Sequence, residues 1–170
     1  MNDADFRTAY HDHKDVLYRF ARRMTGSAAT AEDIVHDAFL SLWRNAAAYD
    51  SGRGSLRSFL IGVVRNQTLQ RLRRERPQDE LEDDAVLAAP LDFAGLERAE
   101  MVARAVAALP ALQREALILA EYEEMSLEEI GRAAGVEIAA VKSRLHRARE
   151  NLRRMLAPLW ETRGTVHGTK

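Results

Sequence analysis

Cysteine is absent from this sequence. That excludes disulfide staples, thiol redox switches and cysteine-ligated metal, and it suits a reducing, cytoplasmic compartment. Long apolar runs are also missing. None is long enough to span a bilayer, so no membrane insertion is expected. The opening MNDADFRTAYHDHKD has no basic patch followed by an apolar stretch, so it does not read as a secretion signal. There is no glycine-rich phosphate loop, no catalytic-triad pattern and no catalytic pair of acids. The HDH at 11–13 is a poor metal set, because residues two apart diverge on a helix. No cofactor, metal or covalent chemistry is expected. Strand signals are scarce as well. β-branched residues are scattered, alternation is rare, and Ala, Leu, Arg and Glu dominate, which favours an all-α fold.

What is present is segregated charge. The net charge is −1, but residues 53–76 carry seven arginines against Glu75 alone. Residues 79–100 reverse the sign, with DELEDD in the lead and only Arg98 opposing. EYEEMSLEE at 121–129 is acidic again, and 142–154 returns to basic. Two basic patches separated by acid point to two polyanion-facing surfaces.

The spacing predicts helices over Phe6–Met24, stopped by Gly26, and from Thr30 with Asp33 as an approximate capping box. In the second helix Ile34, Val35, Ala38, Phe39, Leu42 and Trp43 form a broad apolar stripe that leaves Asp33, His36, Asp37 and Arg44 outside. YDSGRGS at 49–55 reads as a loop. A third helix runs from Leu56 to Arg74 and Pro77 ends it. Phe59 falls on its apolar face with Leu56, Leu60 and Val63. Prolines, a glycine and acids mark 77–95 as a flexible acidic linker between a helical domain over 1–76 and another over 96–160. In the latter, helices are expected near Leu96–Leu109, Ala111–Tyr122 and Ser126–Ala134, and from Glu137. The tail at 161–170 reads as unstructured.

The stretch EEIGRAAGVEIAAVKSRLHRAR combines these signals. Ser126 and Glu129 make a capping box, Gly131, Ala133 and Ala134 allow close helix packing, and Gly135 supplies a turn. Ile138, Val141, Leu145, Ala148 and Leu152 make one stripe on the following helix. Ser143 lies opposite, with Ala139, Ala140, His146 and Arg147 flanking and Lys142 and Arg144 at the edges. A small-then-basic exposed face on a short helix, turn and long helix suits a major groove. A solvated basic helix is the plainer alternative.

LPALQREALILAEYEEMSLEEIGRAAGVEIAAVKSRLHRARENLRRML resembles the C-terminal domain of bacterial RNA polymerase sigma factors of the extracytoplasmic-function group, of the sigma-70 family. FRTAYHDHKDVLYRFARRMTGSAATAEDIVHDAFLSLWRN resembles the polymerase-binding part of the second sigma region, and YDSGRGSLRSFLIGVVRNQTLQRLRRER its promoter-melting part. The resemblance spans about residues 6–156 in the family's order. It implies that Asp33, His36 and Asp37 dock on the β′ clamp of core RNA polymerase, His36 standing where relatives usually have glutamine. Ser51, Arg53 and Ser55 would meet a flipped base of the −10 element, and Arg65, Asn66, Gln70, Arg71, Arg73 and Arg74 the adjoining strands. On the −35 element, Ala139, Ala140, Ser143 and Arg147 match base-facing positions, and Lys142, Arg144 and His146 backbone-facing ones. Leu112, Leu117, Leu119 and Tyr122 resemble the part that holds the β flap, or are internal core. Phe59 stands where relatives often have tryptophan.

The resemblance implies a sigma factor that gives polymerase its promoter specificity, with an anti-sigma factor as a further partner. The alternative is a helix-turn-helix regulator that is not a polymerase subunit, which would leave the arginine-rich helix at 56–74 unexplained. A small helical hydrolase lacks a nucleophile or metal set.

Overall fold

The computed structural model describes residues 1–75 and 90–161. The DELEDD cluster, the helix stop at Pro77 and the tail from 162 onward lie outside the described residues. Every regular element among the described residues is helical, as expected.

Helix α1 spans Asp3–Thr25 and α2 Ala28–Arg44. Asn2 and Asp5 box the start of α1, and Gly26, with φ 74°, ends it. Ser27 rather than Thr30 caps α2. It follows Gly26 in the extended conformation an N-cap requires, and its Oγ accepts from the Thr30 N–H at 3.2 Å. Two short 3₁₀ turns, Ala46–Ala48 and Ser51–Arg53, lead into α3, Leu56–Glu75. The buried faces of the three helices meet through Leu17, Phe20, Met24, Ile34, Phe39, Leu42, Leu60, Ile61 and Val64. Trp43 leaves the expected stripe: it is exposed and stacks edge-on with Phe6 at 5.0 Å between centroids.

After a loop that turns at Gly95, α4 covers Arg98–Ala108 and α5 Ala111–Leu117. The one helix expected over Ala111–Tyr122 widens at Ile118–Tyr122 into a π-turn. There the Glu123 N–H donates to the Ile118 carbonyl at 3.1 Å, five residues back. α6, Leu127–Ala134, starts on the expected Ser126–Glu129 capping box and ends at Gly135, φ 68°. α7 follows over Ile138–Glu161.

The buried face of α7 is rotated from the expected stripe. It holds Val141, Arg144, Leu145, Ala148 and Asn151, while Ile138 is exposed at the first turn. The rotation has a polar cause. Gln113 and Glu115 of α5 are themselves buried, so α7 turns polar side chains toward them: Asn151 Nδ2 donates to Gln113 Oε1 at 2.7 Å, and Arg144 Nη1 to Glu115 Oε1 at 3.4 Å. Apolar side chains in those places would withdraw these bonds from buried polar groups, which costs more than a lost apolar contact.

The two halves lie against each other along a seam of α3 and α6, with α1 touching α5 and the π-turn. A Cβ built on Gly62 of α3 would sit 3.3 Å from the Ala133 carbonyl of α6, so the glycine lets the backbones approach. Within the helix-turn-helix, a Cβ on Gly131 would fall 2.9 Å from the Val136 carbonyl, closer than real Cβ atoms come. Gly131→Ala would gain about 1 kcal/mol of helix propensity. The overpacking it forces costs about 1–3 kcal/mol. Because the clashing atom is backbone and cannot rotate away, a net loss of stability is expected. Denaturant unfolding of the variant checks the sign.

Candidate nucleic-acid and polymerase interface

The loop before α3 is built by local hydrogen bonds. Asp50 Oδ1 accepts from the Gly52 N–H at 2.9 Å, Tyr49 donates to the Gly54 carbonyl at 3.3 Å, and Ser55 Oγ accepts from the Ser58 N–H at 3.1 Å as the cap of α3. Gly54 has φ 151°, a backbone that side chains rarely adopt. The loop and α3 frame a cavity of about 310 Å³ lined by Arg53, Ser55, Phe59 and Asn66 together with Arg132 and Ala133 of α6. Phe59 is half-buried and tilts against Tyr49 at 5.5 Å, so it is both core and cavity wall. Ser51 is exposed beside the cavity; Gln70, Arg73 and Arg74 are exposed and Arg71 half-buried on the last turns of α3. The structure thus gathers three of the sequence-predicted −10 residues around one hollow and strings four along the end of the helix.

Arg65 goes elsewhere. Its guanidinium lies in the seam, with Nε and Nη2 donating to the two Glu115 oxygens at 2.8 and 3.0 Å. Only 12% of its side chain is exposed. In this arrangement it does not face a nucleic acid.

On α7, Ala139, Lys142, Ser143 and His146 are exposed, and Ala140 and Arg147 are half-buried. His146 lies 3.4 Å from Glu150, one turn on. Arg144 corrects the expectation for a backbone-facing cation. It is buried against Glu115, because it falls on the same helical face as Val141 and Ala148. On α2, Asp33, His36 and Asp37 are exposed, and Asp33 and His36 edge a hollow shared with Tyr10, Lys14 and Tyr18. Leu117 and Leu119 are core, Leu112 is half-buried, and Tyr122 is exposed beneath the Arg23 guanidinium, 4.2 Å from its ring centre.

Two buried acids escaped the sequence reading. Glu115 has no exposed surface and is shared by Arg65 and Arg144. Glu123, 4% exposed, faces Arg19 at 3.3 Å, Arg57 at 3.6 Å and Arg23 at 3.7 Å, and its carbonyl accepts from Arg57 at 2.8 Å. The available signal was the triplet Gln113-Arg114-Glu115 inside an otherwise apolar run.

Residues 9–78 match Sigma-70 region 2 and residues 99–152 match Sigma-70, region 4. The chain is 32% identical over 163 residues to the ECF RNA polymerase sigma factor SigL of Mycobacterium tuberculosis (strain ATCC 25618 / H37Rv), covering 92% of each. It belongs to the extracytoplasmic-function sigma factors. The sigma factor is also 30% identical over 164 residues to SigW of Bacillus subtilis (strain 168), covering 86% of each chain. Its fold is similar to that of the sigma factor RpoE in complex with the anti-sigma factor NepR from Bartonella quintana. That match has a TM-score of 0.71 and 26% identity, and it covers 90% of this chain and 97% of that one. CnrH, solved with the cytosolic domain of CnrY, shares the fold at a TM-score of 0.70 and 24% identity, covering 92% of this chain and 90% of that one. The sigma factor therefore binds core RNA polymerase and directs initiation at promoters with −10 and −35 elements. The rival reading, a regulator acting outside polymerase, is overturned by the region 2 match in the first half.

Removing Glu115 would leave Arg65 and Arg144 buried without that carboxylate. Breaking a buried pair by deleting one partner costs about 3–5 kcal/mol, so Glu115→Ala is expected to lose that much in denaturant unfolding. An effect below about 1 kcal/mol, the range of exposed pairs, would show that the carboxylate is solvated.

His13 of α1 adds a pH dependence. Burial holds its pKa below the ordinary 6.5; Asp12 opposes this and Arg57 adds to the depression. The unfolded chain takes up the proton first, so stability is lost as pH falls through 6.5 toward the folded value. His13→Gln should flatten that slope as pH falls below about 7 in thermal melts.

Proposed function

We propose that this sigma factor docks on the β′ clamp through Asp33, His36 and Asp37 of α2. It meets the −10 element with Ser51, Arg53, Ser55 and Asn66, and the flanking phosphates with Gln70, Arg71, Arg73 and Arg74. The −35 element is met by Ala139, Ala140, Lys142, Ser143, His146 and Arg147 of α7. The domain assignment is 1–76 for polymerase and −10 contacts, 77–95 as spacer and 96–160 for the −35 contacts. The observation that carries this reading is the cavity behind the 51–55 loop. It has the size of a ligand hollow, the polar side chains of Arg53, Ser55 and Asn66 and an aromatic wall, and it opens beside the basic end of α3. An extruded base needs such a pocket to replace the stacking it gives up.

The chain supplies no covalent chemistry and works in the cytoplasm, where polymerase and promoter are. Its control acts in trans, through an anti-sigma factor that covers faces of both halves. The similarity to RpoE, solved with its anti-sigma factor NepR, supports this partner class.

Reversing Asp33 and Asp37 to lysine should leave melting nearly unchanged, since both are exposed. Binding to core polymerase should fall, because like charge at an interface costs several kcal/mol. Co-purification with core enzyme checks it, and normal retention of the folded variant would remove this face. In promoter-binding titrations at several salt concentrations, Lys142→Ala should reduce the salt slope by about one.

A further inference from the structure

The cavity behind the 51–55 loop has a wall that the −10 reading does not use. Arg132 and Ala133 of α6 line it together with Arg53, Ser55, Phe59 and Asn66. The two arginines come from different halves of the chain, and both are exposed. Neither guanidinium has a hydrogen-bond or ion-pair partner among the described residues. In this they differ from Arg65 and Arg144, which are held by Glu115, and from Arg57, held by Glu123. Asp50 is the one acid among the described lining residues, and its Oδ1 already accepts from the Gly52 N–H. Asn66 Oδ1 accepts from Arg65 Nη1 at 3.2 Å, so its amide N–H groups remain to donate. The lining is therefore rich in donors and positive on balance, with the ring of Phe59 as its apolar side.

A hollow of about 310 Å³ stands at the lower end of small-molecule sites. Two guanidiniums without partners call for an anion of phosphate geometry, which takes paired hydrogen bonds from one arginine fork. An aromatic wall calls for a planar base to lie against it. Guanine offers O6 and N7 to an arginine and amino hydrogens to an acceptor such as Asp50. We propose that the cavity is a binding site for a free guanine nucleoside monophosphate, held by Arg53 of the first half and Arg132 of the second. The consequence for transcription rests on the sigma-factor reading of the 51–55 loop. A nucleotide in the cavity occupies the hollow that the proposed function gives to the extruded −10 base. Initiation then responds to a small metabolite, beside any protein partner that acts in trans.

Arg132 carries the test. It belongs to neither the −10 nor the −35 set proposed above, and it is exposed, so its removal should leave thermal melting nearly unchanged. Calorimetric titration of the full chain with GMP should show one site with a Kd below about 1 mM. Arg132→Ala should weaken that binding at least about tenfold, the loss of one charge-assisted contact. Inorganic phosphate and guanosine should each bind at least about tenfold more weakly than GMP, since each lacks one anchor. CMP, without the O6 and N7 pair, should also bind more weakly. No binding of GMP at concentrations about tenfold above that limit would overturn the proposal. So would phosphate or CMP that binds as tightly as GMP, or GMP held equally well by Arg132→Ala.

The second readout is transcription with core polymerase and a cognate promoter, each protein being compared with its own yield in the absence of GMP. At about ten times its Kd, GMP fills about nine-tenths of the free sites, and transcript from the parent should fall at least about threefold. The Arg132→Ala variant should keep its yield at the same concentration. GMP that lowers both alike acts on the polymerase rather than on this cavity, and would overturn the regulatory consequence. Failure of the parent to direct any transcription without GMP would strike instead at the sigma-factor reading, while the titration would still decide the site.

Discussion

Glu115 is a carboxylate with no exposed surface, and the rest of the structure is arranged around that fact. Taking such a charge out of water costs several kcal/mol, and attraction to a cation offsets the cost only with good geometry and further hydrogen bonds. Glu115 obtains both from two directions: Arg65 arrives from α3 with paired donors, and Arg144 from α7. The first contact joins the halves and the second turns α7 about its axis. The face that α7 buries, and therefore the face it leaves for DNA, follows from Glu115 together with Gln113 on α5.

Glu123 repeats the arrangement by another route. A regular helix through Tyr122 would aim this side chain differently; the π-turn over Ile118–Tyr122 inserts the extra residue that brings it beneath Arg19, Arg23 and Arg57. The backbone then leaves through Glu124 at φ 53°, an unfavourable position for a residue with a Cβ. The local strain and the buried charge occur together at the point where the second half meets α1 and α3. Both are costs to stability that a plain hydrophobic contact would avoid, and both are confined to the seam.

Much of this was legible in the sequence, and the limits have a common cause. Helix caps and stops at Gly26, Ser126 and Gly135 were readable because their chemistry is local. The exposed positions Asp33, Asp37, Lys142, Ser143 and His146 followed from periodicity, which separates an apolar face from the rest. Periodicity set Ile138 inside and Arg144 at the edge of the exposed face, and the resemblance set Arg144 toward the DNA backbone, whereas Ile138 is exposed and Arg144 buried. Whether an arginine is buried depends on an acid far along the chain, and nothing within one turn of Arg144 announces Glu115. Arg65 was placed on the right helix, but its partner lies fifty residues away. The 49–55 loop was legible from its composition, whereas the cavity behind it, with a wall on α6, belongs to tertiary structure alone.

The central claim is that Arg65 and Glu115 form an interaction joining the halves, and a double-mutant cycle measures it most directly. Arg65→Gln, Glu115→Gln and the double variant would be unfolded in denaturant beside the parent. Residues in one buried network couple by about 0.5–3 kcal/mol, and a two-oxygen pair in the seam should lie in the upper half of that range. Effects that simply add, within about 0.5 kcal/mol, would mean that the two side chains do not meet in solution, and would contradict the account.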